Sequence, residues 1–140
     1  MSVINVNDEE FMKTEVYQNF MRENPSYGTL KIRASAASEA VPISGVRIVV
    51  SKKIGDDTII FFEGVTDESG MINNIKLPTP ESLNDDMMVP PSTTYEVDAV
   101  YLPDNTEQVY PVNVFSGIYV VQTIKITPTI NPEERSFYGN

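Results

Sequence analysis

One stretch, Ile59-Ile60-Phe61-Phe62-Glu63-Gly64-Val65-Thr66-Asp67-Glu68-Ser69-Gly70-Met71-Ile72, restricts what this chain can fold into. Its first half is short, β-branched and aromatic, and it ends at Gly64, so it reads as a buried strand rather than a helix. Thr66-Asp67-Glu68-Ser69-Gly70 is turn chemistry. Asp67 can accept a hydrogen bond from the backbone two residues on, and Gly70 can take the φ > 0 that a chain reversal needs. Met71 and Ile72 open the return strand. The stretch is a hairpin at the middle of an all-β domain. Ile59 and Phe61 fall on one face and Ile60 and Phe62 on the other, so something must cover the outer face of this strand.

The N-terminal segment is the expected cover. Asn7 or Asp8 can cap a helix, and Asp8, Glu9 and Glu10 favour the positive end of its dipole. Met12, Val16 and Phe20 recur at four-residue spacing, which predicts one amphipathic helix over residues 8–23, stopped by Asn24-Pro25. Its apolar stripe packs either on the domain's own sheet or on a neighbouring subunit.

Residues 28–36 alternate cleanly: Leu30, Ile32 and Ala34 point one way, Lys31, Arg33 and Ser35 the other. A short edge pairing is expected at residues 40–43. Further strands are predicted at 46–52, 58–65, 71–77, 93–102, 107–115 and 118–127. Residues 78–91, rich in proline, form a long loop. About seven strands with frequent turns predict a single antiparallel β-sandwich with an N-terminal helix. The expected organisation is an N-terminal segment at 1–27, the sandwich at 28–128 and a tail at 129–140.

Composition limits the chemistry. There is no Cys, so no disulfide or thiolate is available, and no His, the commonest general base and zinc ligand. No cofactor is expected. The net charge of −10, with ten scattered Lys and Arg, argues against nucleic acid and anionic membranes. No run of apolar residues is long enough to span a bilayer, and residues 1–10 carry no signal-peptide pattern.

Asp56-Asp57 and Asp85-Asp86 lack the alternating spacing of a calcium loop, so no metal site is expected. Glu63, Glu96 and Asp98 lie on strands with nothing to make them converge across a cleft, so no catalytic residue is expected and the chain reads as a non-enzyme. Candidate interaction residues are Met12, Val16 and Phe20 on the helix, with Phe137 and Tyr138 in the tail. Tyr95, Tyr101, Tyr110 and Tyr119 are candidate ligand-facing aromatics, suited to stacking if they share an outer face.

Gly28-Thr29-Leu30-Lys31-Ile32, then residues 40–50 with Pro42, Gly45 and Val46, then Thr66-Asp67-Glu68-Ser69-Gly70, then Tyr95-Glu96-Val97, resemble the carboxypeptidase regulatory-like, prealbumin-like family. The likeness covers roughly residues 28–127. It implies a prealbumin-like (Ig-like) sandwich. Its nearer variant resembles domains of spore cortex-lytic, peptidoglycan-processing proteins of Firmicute bacteria. That implies a non-catalytic structural or binding module, associated with a cell surface or spore; the surplus of apolar strand surface and the apolar terminal segments add the expectation that it self-assembles through those segments. The alternative it implies is a carbohydrate- or peptidoglycan-binding accessory domain of a cell-wall hydrolase. The expected partners are a second copy or another protein subunit, and cell-wall glycan. Related sandwiches cross-link Lys to Asn, but Lys31 alternates with Leu30 and Ile32 and so faces away from any core.

Overall fold

The computed structural model describes residues 2–36, 41–82 and 89–127. Strand β1 (Val3–Asn5) precedes two short helices, α1 (Glu9–Met12) and α2 (Glu15–Glu23). Seven longer strands follow: β2 (Ser26–Ala36), β3 (Val46–Ile54), β4 (Asp57–Val65), β5 (Met71–Thr79), β6 (Ser92–Tyr101), β7 (Thr106–Phe115) and β8 (Tyr119–Ile126). They form two sheets, β1-β4-β3-β6-β7 and β5-β2-β8. The all-β sandwich expected from the alternation is therefore present. Two of its pairings, β1 with β4 and β2 with β8, are parallel.

The inner faces carry the core. Leu30, Ile32 and Ala34 of β2 meet Val46, Ile48 and Val50 of β3, Val97 and Ala99 of β6, and Ile124 and Ile126 of β8 in one cluster. All are essentially water-free. Burial of this apolar area is the main force holding the sheets together.

The apolar strand at 59–62 resolves through a bulge. Val50 pairs with Phe62 and Ser51 with Ile60, so Phe61 is an extra residue on β4. A bulge sets two residues against one and re-aims a side chain. Phe61 and Phe62 consequently both pack against the core, which strict alternation does not allow.

The N-terminal segment departs from the single helix expected over residues 8–23. Thr14 breaks it. Its hydroxyl donates to the Phe11 carbonyl at 2.6 Å and accepts from the Tyr17 amide at 3.2 Å, ending α1 and capping α2. Asp8 caps α1 through the amides of Glu10 and Phe11. Phe20 enters the core cluster, with its ring centroid 5.6 Å from that of Phe61. A buried polar link fixes the end of α2: Asn24 Nδ2 donates to the Phe20 carbonyl at 2.8 Å, and the Thr93 hydroxyl donates to Asn24 Oδ1. Each buried polar group is thereby paired, as burial requires. The sequence reading missed β1, which lies parallel to β4 with Val3 opposite Thr58.

The turn after β4 follows its chemistry, but the strands it joins do not form the expected hairpin: β4 pairs in the five-stranded sheet and β5 in the three-stranded one, so the turn crosses from one sheet to the other. Asp67 Oδ1 accepts from the amides of Ser69 and Met71 at 2.9 and 3.0 Å. Gly70 has φ +73°, and a Cβ there would lie 2.4 Å from the Ala34 carbonyl oxygen. The expected edge pairing is a single bridge, Ser35 to Pro42, and Ala40 lies outside the described residues. The loop expected at 78–91 starts later, because Pro78 and Thr79 belong to β5. Asp85 and Asp86 lie outside the described residues.

Candidate functional site

The outer face of the three-stranded sheet carries cations alone, whereas the strands of the other sheet carry both signs. On β2, burial of Leu30, Ile32 and Ala34 turns Lys31, Arg33 and Ser35 outward. On β8, burial of Ile124 and Ile126 turns Tyr119, Val121, Thr123 and Lys125 outward. On β5, Lys76 sits between buried Ile75 and Leu77 and faces out. The register then assembles a patch. Thr29 lies between Lys76 and Tyr119, Lys31 beside Val121, Arg33 between Met71 and Thr123, and Ser35 beside Lys125.

This face gathers four of the ten basic residues of an acidic chain, and its three strands contain no Asp or Glu. None of the four cations joins an ion pair among the described residues. Tyr119 is 52% and Val121 47% exposed beside them. Cations without local carboxylates, next to an exposed ring and an isopropyl group, suit a ligand that is anionic at one part and apolar at another.

The opposite sheet presents Glu63, Glu96, Asp98 and Glu107. Asp98 lies beside Val49 on one side and Val109 on the other, and Glu63 is opposite Val49. Partial burial raises the Asp98 pKa, and the like charges of Glu96 and Glu107 raise it further. Arg47 meets Glu63 at 3.4 Å, with both side chains about half exposed, a pairing worth little in water.

The sequence-selected residues do not converge. Phe20 is in the core, while Met12 and Val16 remain 39% and 46% exposed, so the three do not form one apolar stripe. The break at Thr14 separates Met12 from Val16 and Phe20, which both lie on α2. Phe137 and Tyr138 lie outside the described residues. The four tyrosines do not share a face. Tyr95 is buried against the core, and its hydroxyl donates to the Pro78 carbonyl. Burial pushes its pKa up, and Tyr27 adds to the shift. Tyr101 and Tyr110 pack partly against the core, and the Tyr110 hydroxyl donates to Gln108 Oε1. Tyr119 alone of the four stands on the basic face. Lys31 is on the sheet opposite Glu96 and Asn113, which leaves no Lys–Asn cross-link geometry among them.

Among the described residues no cluster of three or more metal-ligating side chains occurs, and no helix is long and apolar enough to cross a membrane. The basic face went unnoticed in the sequence because its four cations come from three separate stretches. Only Lys31 and Arg33 carried a signal, their alternation with buried residues.

No protein-family model and no curated protein matches the chain. Its fold matches solved structures. The 5-hydroxyisourate hydrolase of Klebsiella pneumoniae aligns over 74% of this chain and 92% of that one, at 17% identity and a TM-score of 0.51. Transthyretin from Sparus aurata aligns over 69% and 87%, at 18% identity and a TM-score of 0.47. Sea bream transthyretin in complex with thyroxine aligns over 72% and 88%, at 19% identity and a TM-score of 0.46.

The prealbumin-like fold is thus the right class for this chain. The spore and cell-surface reading is overturned: the fold match above a TM-score of 0.5 is a hydrolase, not a surface, spore or cell-wall module. The same finding gives no support to the glycan-binding alternative. The fold occurs in an enzyme, at an identity too low to carry a reaction across.

Proposed function

We propose that the chain binds a small organic anion with an apolar or aromatic body on the outer face of β5-β2-β8. The observation that carries this reading is the set Lys31, Arg33, Lys76 and Lys125 on strands free of carboxylates, in a chain of net charge −10. The anionic group pairs with Lys31 and Arg33 at the centre of the sheet. The apolar body lies against Tyr119 and Val121. A flat sheet face encloses little of a ligand, so a second copy completes the site. Two bare basic faces repel one another, and the ligand's negative charge lets them meet.

Binding, not turnover, is the proposed activity. The chain has neither His nor Cys to serve as base or nucleophile. The purified protein is therefore expected not to hydrolyse 5-hydroxyisourate, the reaction named for the Klebsiella protein.

A fluorescence titration with the aromatic sulfonate 8-anilino-1-naphthalenesulfonate tests the reading. Saturable binding is expected, weakening as salt rises. The double variant Lys31→Gln/Arg33→Gln should lose at least about tenfold in affinity, since each charge-assisted contact contributes ~1.5–3 kcal/mol. Lys53→Gln, on the other sheet, should bind as wild type does. Equal affinity in the double variant would refute the assignment.

A further inference from the structure

The N-terminal segment is fastened to the sandwich at both ends. At its start the Thr58 amide donates to the Ser2 carbonyl at 2.8 Å, and the Val6 amide donates to the Ile60 carbonyl at 2.9 Å. At its far end Phe20 and Asn24 are buried. Between these fastenings a gap separates α1 and the start of α2 from the tip of the β3–β4 hairpin. It is a cavity of about 640 Å³.

The cavity has an apolar side, made by Ile4, Phe11, Val16 and Ile54. Phe11 is steadied by an edge-to-face contact with Tyr17, ring centroids 5.5 Å apart. Every charged residue that lines the cavity is acidic: Asp8, Glu10, Asp56 and Asp57. The hairpin fixes the last two, because Ile54 pairs with Asp57 across a two-residue turn with Gly55 at φ +64°. None of the four carboxylates has an ion-pair partner among the described residues. Acids at a turn and at a helix start are ordinarily solvated. Here they border apolar surface inside one cavity, and that combination selects a ligand. It repels anions. It does not suit a metal ion, since among the described residues no three such groups come together as ligands.

We propose that this cavity binds a small organic cation with an apolar body, of the arylalkylammonium class. Asp8 and Asp57 already accept backbone amides, from Glu10 and Phe11 and from Ser2. Glu10 and Asp56 remain to take charge-assisted hydrogen bonds from the ammonium. The body lies against Ile4, Val16 and Ile54, and an aromatic ring on it meets the Phe11 ring. The site shares no residue with the anion-binding face, so the two stand or fall separately.

The test is a titration of the isotope-labelled full chain with phenethylammonium, followed through its backbone amide resonances. Saturable shifts are expected at Phe11, Val16 and Gly55, and added salt should weaken the binding. Hydrocinnamate, a similar body carrying a carboxylate, should leave these three amides unmoved. Ammonium chloride should move them only at much higher concentration. Glu10→Gln/Asp56→Asn should bind phenethylammonium several-fold more weakly. Glu96→Gln/Glu107→Gln, with the same change in net charge but away from the cavity, should bind as wild type does. Val16 is 46% exposed, so Val16→Ser probes the apolar side without opening the core, and it too should weaken binding. Equal affinity in wild type and Glu10→Gln/Asp56→Asn overturns the proposal. So does an equal loss in the two double variants, or a response of the three amides to hydrocinnamate that matches their response to phenethylammonium.

Discussion

Gly70 joins two constraints at one residue. Its φ of +73° is one that a β-branched side chain adopts only under strain. A Cβ would also press on the Ala34 carbonyl oxygen at 2.4 Å and the Ile43 amide at 3.0 Å. Both atoms belong to backbone already engaged, because the Ile43 amide donates to the Ala34 carbonyl and the Ala34 amide to the Gly70 carbonyl. Relief therefore requires moving the start of the β2–β5 connection, not just a rotamer. Gly70→Val should lower stability by more than ~1 kcal/mol. A melting midpoint equal to wild type would show that the turn relaxes at no cost. This residue was legible in advance. The Thr-Asp-x-x-Gly spacing named both the acceptor and the positive-φ position from local chemistry alone. Phe61 was not, since nothing local shows that β4 carries a bulge there. That bulge depends on which residues of β3 lie opposite.

At the scale of elements, the N-terminal segment is the part whose role the sequence left open between self-packing and docking elsewhere. Three contacts decide it for Phe20 and its neighbours. Phe20 packs on Phe61 within the core, Asn24 is linked to Thr93, and β1 pairs with β4. Deleting residues 2–25 would remove a buried ring, leave the Thr93 hydroxyl without its acceptor and bare the edge of β4. Loss of one buried aromatic alone costs ~3–5 kcal/mol, and an unmet buried hydroxyl ~1–3 kcal/mol. Against a typical total of ~5–15 kcal/mol, the truncated chain should lose cooperative unfolding by circular dichroism. A truncated protein that still melts cooperatively near the wild-type midpoint would put the segment outside the core. The four-residue spacing of Met12, Val16 and Phe20 did signal a helix. It could not signal that Thr14 would divide it, because Thr is tolerated inside helices even though it favours their N-caps.

At the scale of the whole molecule, one sheet carries cations alone, while the other mixes acids with Arg47, Lys52 and Lys53. The cations at 31, 33, 76 and 125 look dispersed along the chain, and so do the acids at 63, 96, 98 and 107. Alternation tells which way each side chain points within its strand. It does not tell that β8 runs parallel to β2 or that β5 lies on the other side. The strands were therefore legible and the candidate site was not, since a face is a property of pairing. The acids of the five-stranded sheet have a measurable consequence at Asp98. Its pKa is raised in the folded state, first by burial and then by Glu96 and Glu107. A group with a raised folded pKa binds protons more tightly when folded, so its ionisation costs stability as pH rises through that value. Asp98→Asn removes the cost by keeping the side chain neutral. The variant should melt higher than wild type at pH 7. The gain should disappear near pH 3, where the carboxyl is largely protonated in both states. Added salt should shrink the part that comes from Glu96 and Glu107 and leave the part that comes from burial. A variant that melts lower than wild type at pH 7 would mean that Asp98 is held by a favourable contact rather than crowded by its own face.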